Sequence, residues 1–199
     1  MAVEMEIYYL KDTSLELCGR VEPDRIVDLP LSSLYTPSGE LFFKPADDTY
    51  EASSQPVNWR IFDANLGSSI TVDCADVSNQ DRRFYVQVYA EQRFALLENS
   101  NRPSPATQTF MVHLRPPVTF NNMLPVPVKV SPPDADSFIL DSGDGQALYT
   151  VCPTVNAFKV EMVDYNDKKW ICNVKVDKLP DELTARTFLS DDGTKMVFY

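Results

Sequence analysis

The sequence predicts an all-β protein built from two sandwich-like units of antiparallel strands. Three observations lead there. Apolar residues alternate with others: Phe84, Val86 and Val88 interleave with Tyr85, Gln87 and Tyr89, and Val126, Val128 and Val130 with Pro127 and Lys129. That is the two-residue period of a strand with one buried face. Strand-like runs recur about every 8–12 residues, the spacing of a sandwich or barrel. The chain also carries 15 prolines and 6 glycines in 199 residues. A chain broken that often by proline suits short strands better than long helices.

The first run is Glu4–Leu10. Gly39–Lys44 follows the turn cluster Thr36-Pro-Ser-Gly39, and Val57–Phe62 and Ser69–Cys74 come next. In Arg83–Tyr89 the tyrosines fall on the second face, where a ring packs while its hydroxyl stays wet. Arg93–Leu97 is predicted as a separate run. The polar stretch Asn99-Ser-Asn-Arg-Pro-Ser-Pro-Ala106 holds two prolines and reads as a linker. It sets a first unit at 1–105 and a second at 106–199. A faint echo joins the halves: Gly19, Leu41-Phe-Phe43, Tyr50 and Trp59 in one, Gly143 or Gly145, Phe158-Lys-Val160, Tyr165 and Trp170 in the other. The order is shared and the spacing is not.

The second half opens with Thr109–Arg115, where Phe110, Val112 and Leu114 share a face. Pro116 and Pro117 cannot donate to a ladder, so they belong at a bend or an edge. A second strand, the corner Asn121-Asn122 and a third strand at Val126–Val130 follow. Ala147–Val151, Ala157–Val163, Trp170–Val176 and Thr194–Tyr199 complete the strands. Turn clusters at Asp141-Ser-Gly-Asp-Gly145, Tyr165-Asn-Asp-Lys168 and Ser190-Asp-Asp-Gly193 separate them. Pro180–Arg186 is predicted as one or two helical turns.

Charge and residue inventory narrow the function. Asp and Glu total 29 against 18 Lys and Arg, a formal charge of -11. Such a surface repels phosphate backbones and anionic headgroups, although a local basic patch can survive the average. A basic or neutral peptide is compatible with it. Cys18, Cys74, Cys152 and Cys172 form no C-x-x-C pair, and one histidine is too few for the usual zinc sets. They read as reduced structural thiols, with Cys172 a small buried residue between Trp170 and Val174. There is no Asn-x-Ser/Thr sequon, no signal peptide and no apolar run near 18 residues, so a soluble, cytosolic chain is expected.

The candidate sites each have a plain alternative. His113 lies mid-strand with no nucleophile to serve, so a half-exposed strand histidine is expected and catalysis is not. Asp141 and Asp144 offer oxygens to a hard cation, but a β-turn explains them without one. Asp47-Asp48 reads as a solvated turn, and Lys168-Lys169 is too short for a basic patch. Trp59 and Trp170 are expected in the core. Asn122 has two readings: a corner amide that caps backbone groups, or an exposed amide that receives a peptide backbone.

The segment Leu114-Arg-Pro-Pro-Val-Thr-Phe-Asn-Asn-Met-Leu-Pro125 resembles the adaptor-binding region of the vacuolar-protein-sorting thirteen family of bridge-like intermembrane lipid transfer proteins. That region carries a strand, Pro-Pro, a strand and Asn-hydrophobic-Leu-Pro, matched here by Pro116, Pro117, Asn122, Met123, Leu124 and Pro125. Asp28-Leu-Pro-Leu31 is similar to a family strand. Phe43-Lys-Pro45, Tyr50, Ser54, Trp59-Arg60, Val163-Asp-Tyr165 and Trp170 continue the series. In the first half, Met5-Glu-Ile-Tyr-Tyr stands where the family's Asn-Leu-Pro would already have passed.

The resemblance implies a fragment of an array of β-sandwich repeats, each opening with an asparagine. Its partner would be a short Pro-x-Pro peptide of an adaptor that recruits the transporter to membrane contact sites, with lipid carried elsewhere in the parent protein. It implies no enzyme activity, cofactor or metal. Pro116, Pro117, Asn122, Leu124 and Pro125 are then the binding or structural motif. Capture along a sheet edge near Val126–Val130 and Ala157–Val163 is expected. The rivals are a structural spacer and a calcium-dependent membrane-docking β-sandwich.

Overall fold

The computed structural model describes residues 3–60, 69–95, 107–133, 135–152, 154, 158–174 and 185–198. Among them are fifteen strands, paired antiparallel, and one four-residue helical turn. The chain divides into two compact units, one reaching Pro116 and the other starting at Pro117. The sequence expectation put the boundary after residue 105. The difference is the strand Thr107–Arg115, which pairs with Arg83–Ala95 from Ala95↔Thr107 to Gln87↔Arg115.

In the first unit, β1 (Met5–Lys11) and β2 (Ser14–Val21) form a hairpin, and α1 (Leu31–Leu34) follows. β3 (Glu40–Pro45) pairs with β1 and β4 (Val57–Asn58) with β3, giving the order β2-β1-β3-β4. β5 (Ser69–Ala75), β6 (Arg83–Ala95) and β7 (Thr107–Arg115) form a second sheet in that order. The segment between β3 and β4 stitches the sheets together. Ser53 N donates to Phe43 O at 2.8 Å, while Glu51 N and Ser54 N donate to Ala75 O and Asp73 O at 2.8 and 2.9 Å. Ile7, Leu41, Phe43 and Val57 from one sheet and Val72, Cys74, Val86 and Val88 from the other are buried. Each large side chain among them contributes about 1.5–3 kcal/mol by leaving water.

In the second unit the strands are β8 (Val118–Asn121), β9 (Val128–Ser131), β10 (Phe138–Leu140), β11 (Gly145–Leu148), β12 (Phe158–Tyr165), β13 (Lys168–Val174), β14 (Arg186–Ser190) and β15 (Lys195–Phe198). Six of them make one sheet, ordered β10-β9-β12-β13-β14-β15, and β11 pairs with β8. Val118 and Leu148 of that pair join a core with Val128, Val130, Phe158, Val160, Met162 and Trp170 of the sheet. The β12–β13 turn places Asn166 at φ 54° and Asp167 at φ 52°. Two consecutive positive φ values match the right-handed twist of the flanking strands.

Several expectations change. Arg83–Ala95 is one strand and not two, because β7 pairs along it far beyond β5. β2, β10 and β14 were not anticipated: Leu15 and Leu17 of β2 are exposed, β10 has three residues, and Phe188 is the one buried apolar residue of β14. Asp28–Leu31 forms no strand; Pro30 precedes the helical turn that Leu31 opens. Val112 is 36% exposed, since β7 lies at the edge of its sheet among the described residues. The linker Asn99–Ala106 lies outside the described residues. So does the helix expected at Pro180–Arg186 up to residue 184, and Arg186 begins β14.

Candidate functional site

The corner after β8 is held by a set of specific polar contacts centred on one side chain. β8 ends at Asn121, and Asn122 turns inward with 2% of its surface exposed. Its Nδ2 donates to Val126 O at 2.9 Å and to Leu140 O and Asp141 O at 3.1 Å each. Two hydrogens serve three carbonyls, so one is shared. Its Oδ1 accepts from Leu124 N at 3.0 Å. The Asn122 backbone is engaged too: its N–H donates to Asp144 O and its carbonyl accepts from Gly143 N, both at 2.8 Å.

One side chain thus ties the corner 122–126 to the turn 140–144. Two glycines lie in or beside the turn. Gly143 sits at φ 87°, a region costly for other residues. Gly145 pairs with Asn121, and a Cβ there would collide with Asn121 Oδ1. Sequence reasoning identified Asp141–Gly145 as a turn and Asn122 as a corner residue. It did not join them, because nothing local shows that a turn nineteen residues downstream supplies the carbonyls.

The other motif residues divide around this clasp. Leu124 is half-buried and packs on the core, Pro125 is exposed, and Met123 stands 86% exposed between Asn122 and Leu124. Pro116 and Pro117 are half-buried at the opposite end of β8. The structure therefore brings Asn122, Leu124 and Pro125 together and leaves the two prolines at the strand's entry. All side-chain groups of Asn122 are committed within the chain, so the amide has no donor left for a peptide backbone. Asp141 and Asp144 give carbonyl oxygens to the clasp, while their side chains are exposed.

The remaining candidates take plain roles. His113 is half-buried with Nε2 3.3 Å from Glu91 Oε2 and its ring 5.8 Å from that of Tyr89. Trp170 is buried and donates through Nε1 to Tyr165 O at 3.2 Å. Trp59 is not in the core as expected: it is half-buried, donates to Leu34 O at 2.7 Å and carries the Arg60 guanidinium 5.3 Å above its ring. Cys74 and Cys172 are buried thiols, and burial pushes Cys74 up to about 12. In the first unit, Glu6 is a buried carboxylate on β1. It accepts from Tyr8 Oη at 2.6 Å and pairs with Arg20, with Lys44 Nζ at 4.0 Å. The Tyr8 hydrogen bond, with Arg20 and Lys44, holds Glu6 below the usual carboxylate range against the opposing effect of burial. Burial, aided by Glu6, pushes the Tyr8 phenol up to about 12.

The expected docking edge needs correction. Both strands named for it are interior: β9 lies between β10 and β12, and β12 between β9 and β13. Their backbone groups are already in ladders. The edges of this sheet among the described residues are β10 and β15. A further opening lies at β13 and β14, whose ladder among the described residues is Trp170↔Ser190 and Ile171↔Leu189. Over these two strands lies an open groove of about 320 Å³, lined by Ile171, Asn173, Thr187 and Leu189 among others.

A family model described as vacuolar-sorting associated protein 13, adaptor binding domain, matches residues 1–140. The match takes in the first unit, the Asn122 corner and the strand whose Leu140 carbonyl the asparagine holds. No curated protein matches the chain.

Proposed function

The chain belongs to the adaptor-binding domain family of vacuolar-sorting associated protein 13, and from that premise we propose that it captures a short Pro-x-Pro peptide of an organelle adaptor. Capture would help recruit a large intermembrane lipid transfer protein to membrane contact sites. The family match over residues 1–140 carries this reading. The module acts without catalysis, in the cytoplasm, peripheral to the membrane, and lipid is handled by other parts of the parent protein. Among the described residues no helix is long and apolar enough to cross a membrane.

The physical basis is strand addition. An extended peptide gains main-chain hydrogen bonds at a free sheet edge, and alternate side chains enter pockets. Proline at every second position pre-orders the peptide and lowers the entropy lost on docking. In the second unit β10 and β15 offer such edges. Pro116, Pro117, Leu124 and Pro125 frame β8 and its corner, and Asn122 acts as a positioning residue that holds this frame and does not touch the peptide.

Isothermal titration of the chain with a Pro-x-Pro peptide tests the reading. Saturable binding, lost when the peptide is scrambled and its prolines removed, is the expected result. Equal binding by the proline-free peptide overturns it and leaves the structural-spacer account, which the complete internal engagement of Asn122 also favours.

A further inference from the structure

The outer face of the six-stranded sheet carries four lysines in a chain of formal charge -11. Lys129 projects between buried Val128 and Val130, and Lys159 between buried Phe158 and Val160. Lys169 precedes buried Trp170, and Lys195 precedes Met196, which packs on the core. Register puts them on one surface: Lys129 pairs with Glu161, Glu161 with Ile171, Ile171 with Leu189 and Leu189 with Lys195. Lys159 lies opposite Asn173 one row away.

Two carboxylates, Glu161 and the groove-lining Asp191, stand against the four lysines of this face; Glu161 is the one nearest them. It is 3.9 Å from Lys159 and 3.6 Å from Lys169, separations too long for a hydrogen-bonded pair. Lys129 and Lys195 have no ion pair among the described residues. Apolar side chains stand among the lysines: Ile139 is 61% exposed, Leu189 49% and Val197 45%. Leu189 and Ile171 line the groove over β13 and β14, as do Lys169 and Asp191.

We propose that this face docks an acidic, apolar-patterned peptide segment of a protein partner, with its apolar side chains in the β13–β14 groove and its carboxylates on Lys129, Lys159, Lys169 and Lys195. Charge complementarity selects the sign of the partner. The formal charge of -11 belongs to the whole chain, but exposed charges farther than about 8 Å are largely screened at physiological salt. A partner at this face therefore meets the lysines and not the average. An open groove over β13 and β14 with Ile171 and Leu189 in its lining suits a side-chain-bearing peptide better than a flat lipid surface. The inference does not depend on proline in the partner, so it stands or falls apart from the Pro-x-Pro reading.

The test uses a fluorescein-labelled peptide, Asp-Ile-Asp-Leu-Asp-Ile-Asp, titrated with the chain by fluorescence anisotropy. A second peptide carries Lys for every Asp, and flotation with phosphatidylserine vesicles runs alongside. Saturable binding of the acidic peptide is expected, weakening at least fivefold between low and high salt. The double variant Lys129→Glu, Lys159→Glu should weaken it at least tenfold, and Leu189→Ser at least threefold, with far-UV circular dichroism unchanged. The neutral pair Lys129→Gln, Lys159→Gln gives an intermediate loss and covers the case in which charge reversal disturbs folding. Equal binding of the lysine peptide, or an affinity untouched by both lysine pairs, overturns the proposal. So does lysine-dependent flotation with vesicles in the absence of peptide binding, which would assign the face to an anionic membrane.

Discussion

Replacing Asn122 with Ala removes one side chain and strands four backbone groups. Leu124 N loses its acceptor, and the carbonyls of Val126, Leu140 and Asp141 lose their donor. These losses are unequal. Asp141 is exposed and its carbonyl is readily hydrated, whereas Leu140 is 5% exposed and its bond to Asn122 is buried. An unsatisfied buried acceptor costs about 1–3 kcal/mol, and each half-exposed bond about 0.5–1.5 kcal/mol net. A loss of about 3 kcal/mol follows for the second unit, or roughly 10–20 °C in its melting temperature for a domain of this size. Hydrogen exchange should accelerate first at Leu124 and Gly143, whose amides the corner holds. Asn122→Asp is the sharper variant. It keeps an oxygen for Leu124 N but turns a charged oxygen toward three carbonyls, so it should be at least as damaging as Ala and grow worse as pH rises. Asn122→Ser should be partly tolerated, because its hydroxyl is too short to span both loops. Differential scanning calorimetry and site-resolved exchange check these effects. A melt unchanged within about 1 °C in Asn122→Ala would refute the clasp and return weight to direct peptide contact.

Three other outcomes are expected. Gly143→Ala should cost about 1–2 kcal/mol because φ is 87° there, with open space around it, while Gly145→Ala should cost less because exposed Asn121 can swing aside; chemical denaturation ranks the pair. Glu6 lies below its ordinary 4.5 in the folded chain, so its contribution is present above that value and lost as pH falls through the depressed folded value. Glu6→Gln should flatten that acid limb in a pH-dependent melt, and an unchanged limb would contradict the assignment. Cys74, fully buried with its thiol pushed up to about 12, should resist maleimide at pH 8 in the native state while half-buried Cys18 and Cys152 react first, as read by mass spectrometry.

The strand class was legible wherever alternation coincided with a one-sided environment. Val128, Val130, Phe158, Val160 and Met162 are buried at every second position, and their sequence shows it. It failed where the environment was set by a neighbour. β2 exposes Leu15 and Leu17, so its alternation carries little signal, and hydrogen bonding to β1 makes it a strand all the same. Two runs in Arg83–Ala95 became one because β7 supplies partners through their junction.

The corner shows the same division. Two asparagines after a strand and before Leu-Pro already announced a capped turn, since asparagine bonds its own backbone two residues on, as Oδ1 does with Leu124 N. Its three carbonyl partners depend on long-range folding for two of their number, Leu140 and Asp141. The lysines show it most plainly. Lys129, Lys159, Lys169 and Lys195 are spread over the second half of an acidic sequence, with no basic run to mark them. Period-two alternation alone put each on a strand's outer side. Only strand order and register, which depend on contacts between residues far apart in the chain, could place all four on one face.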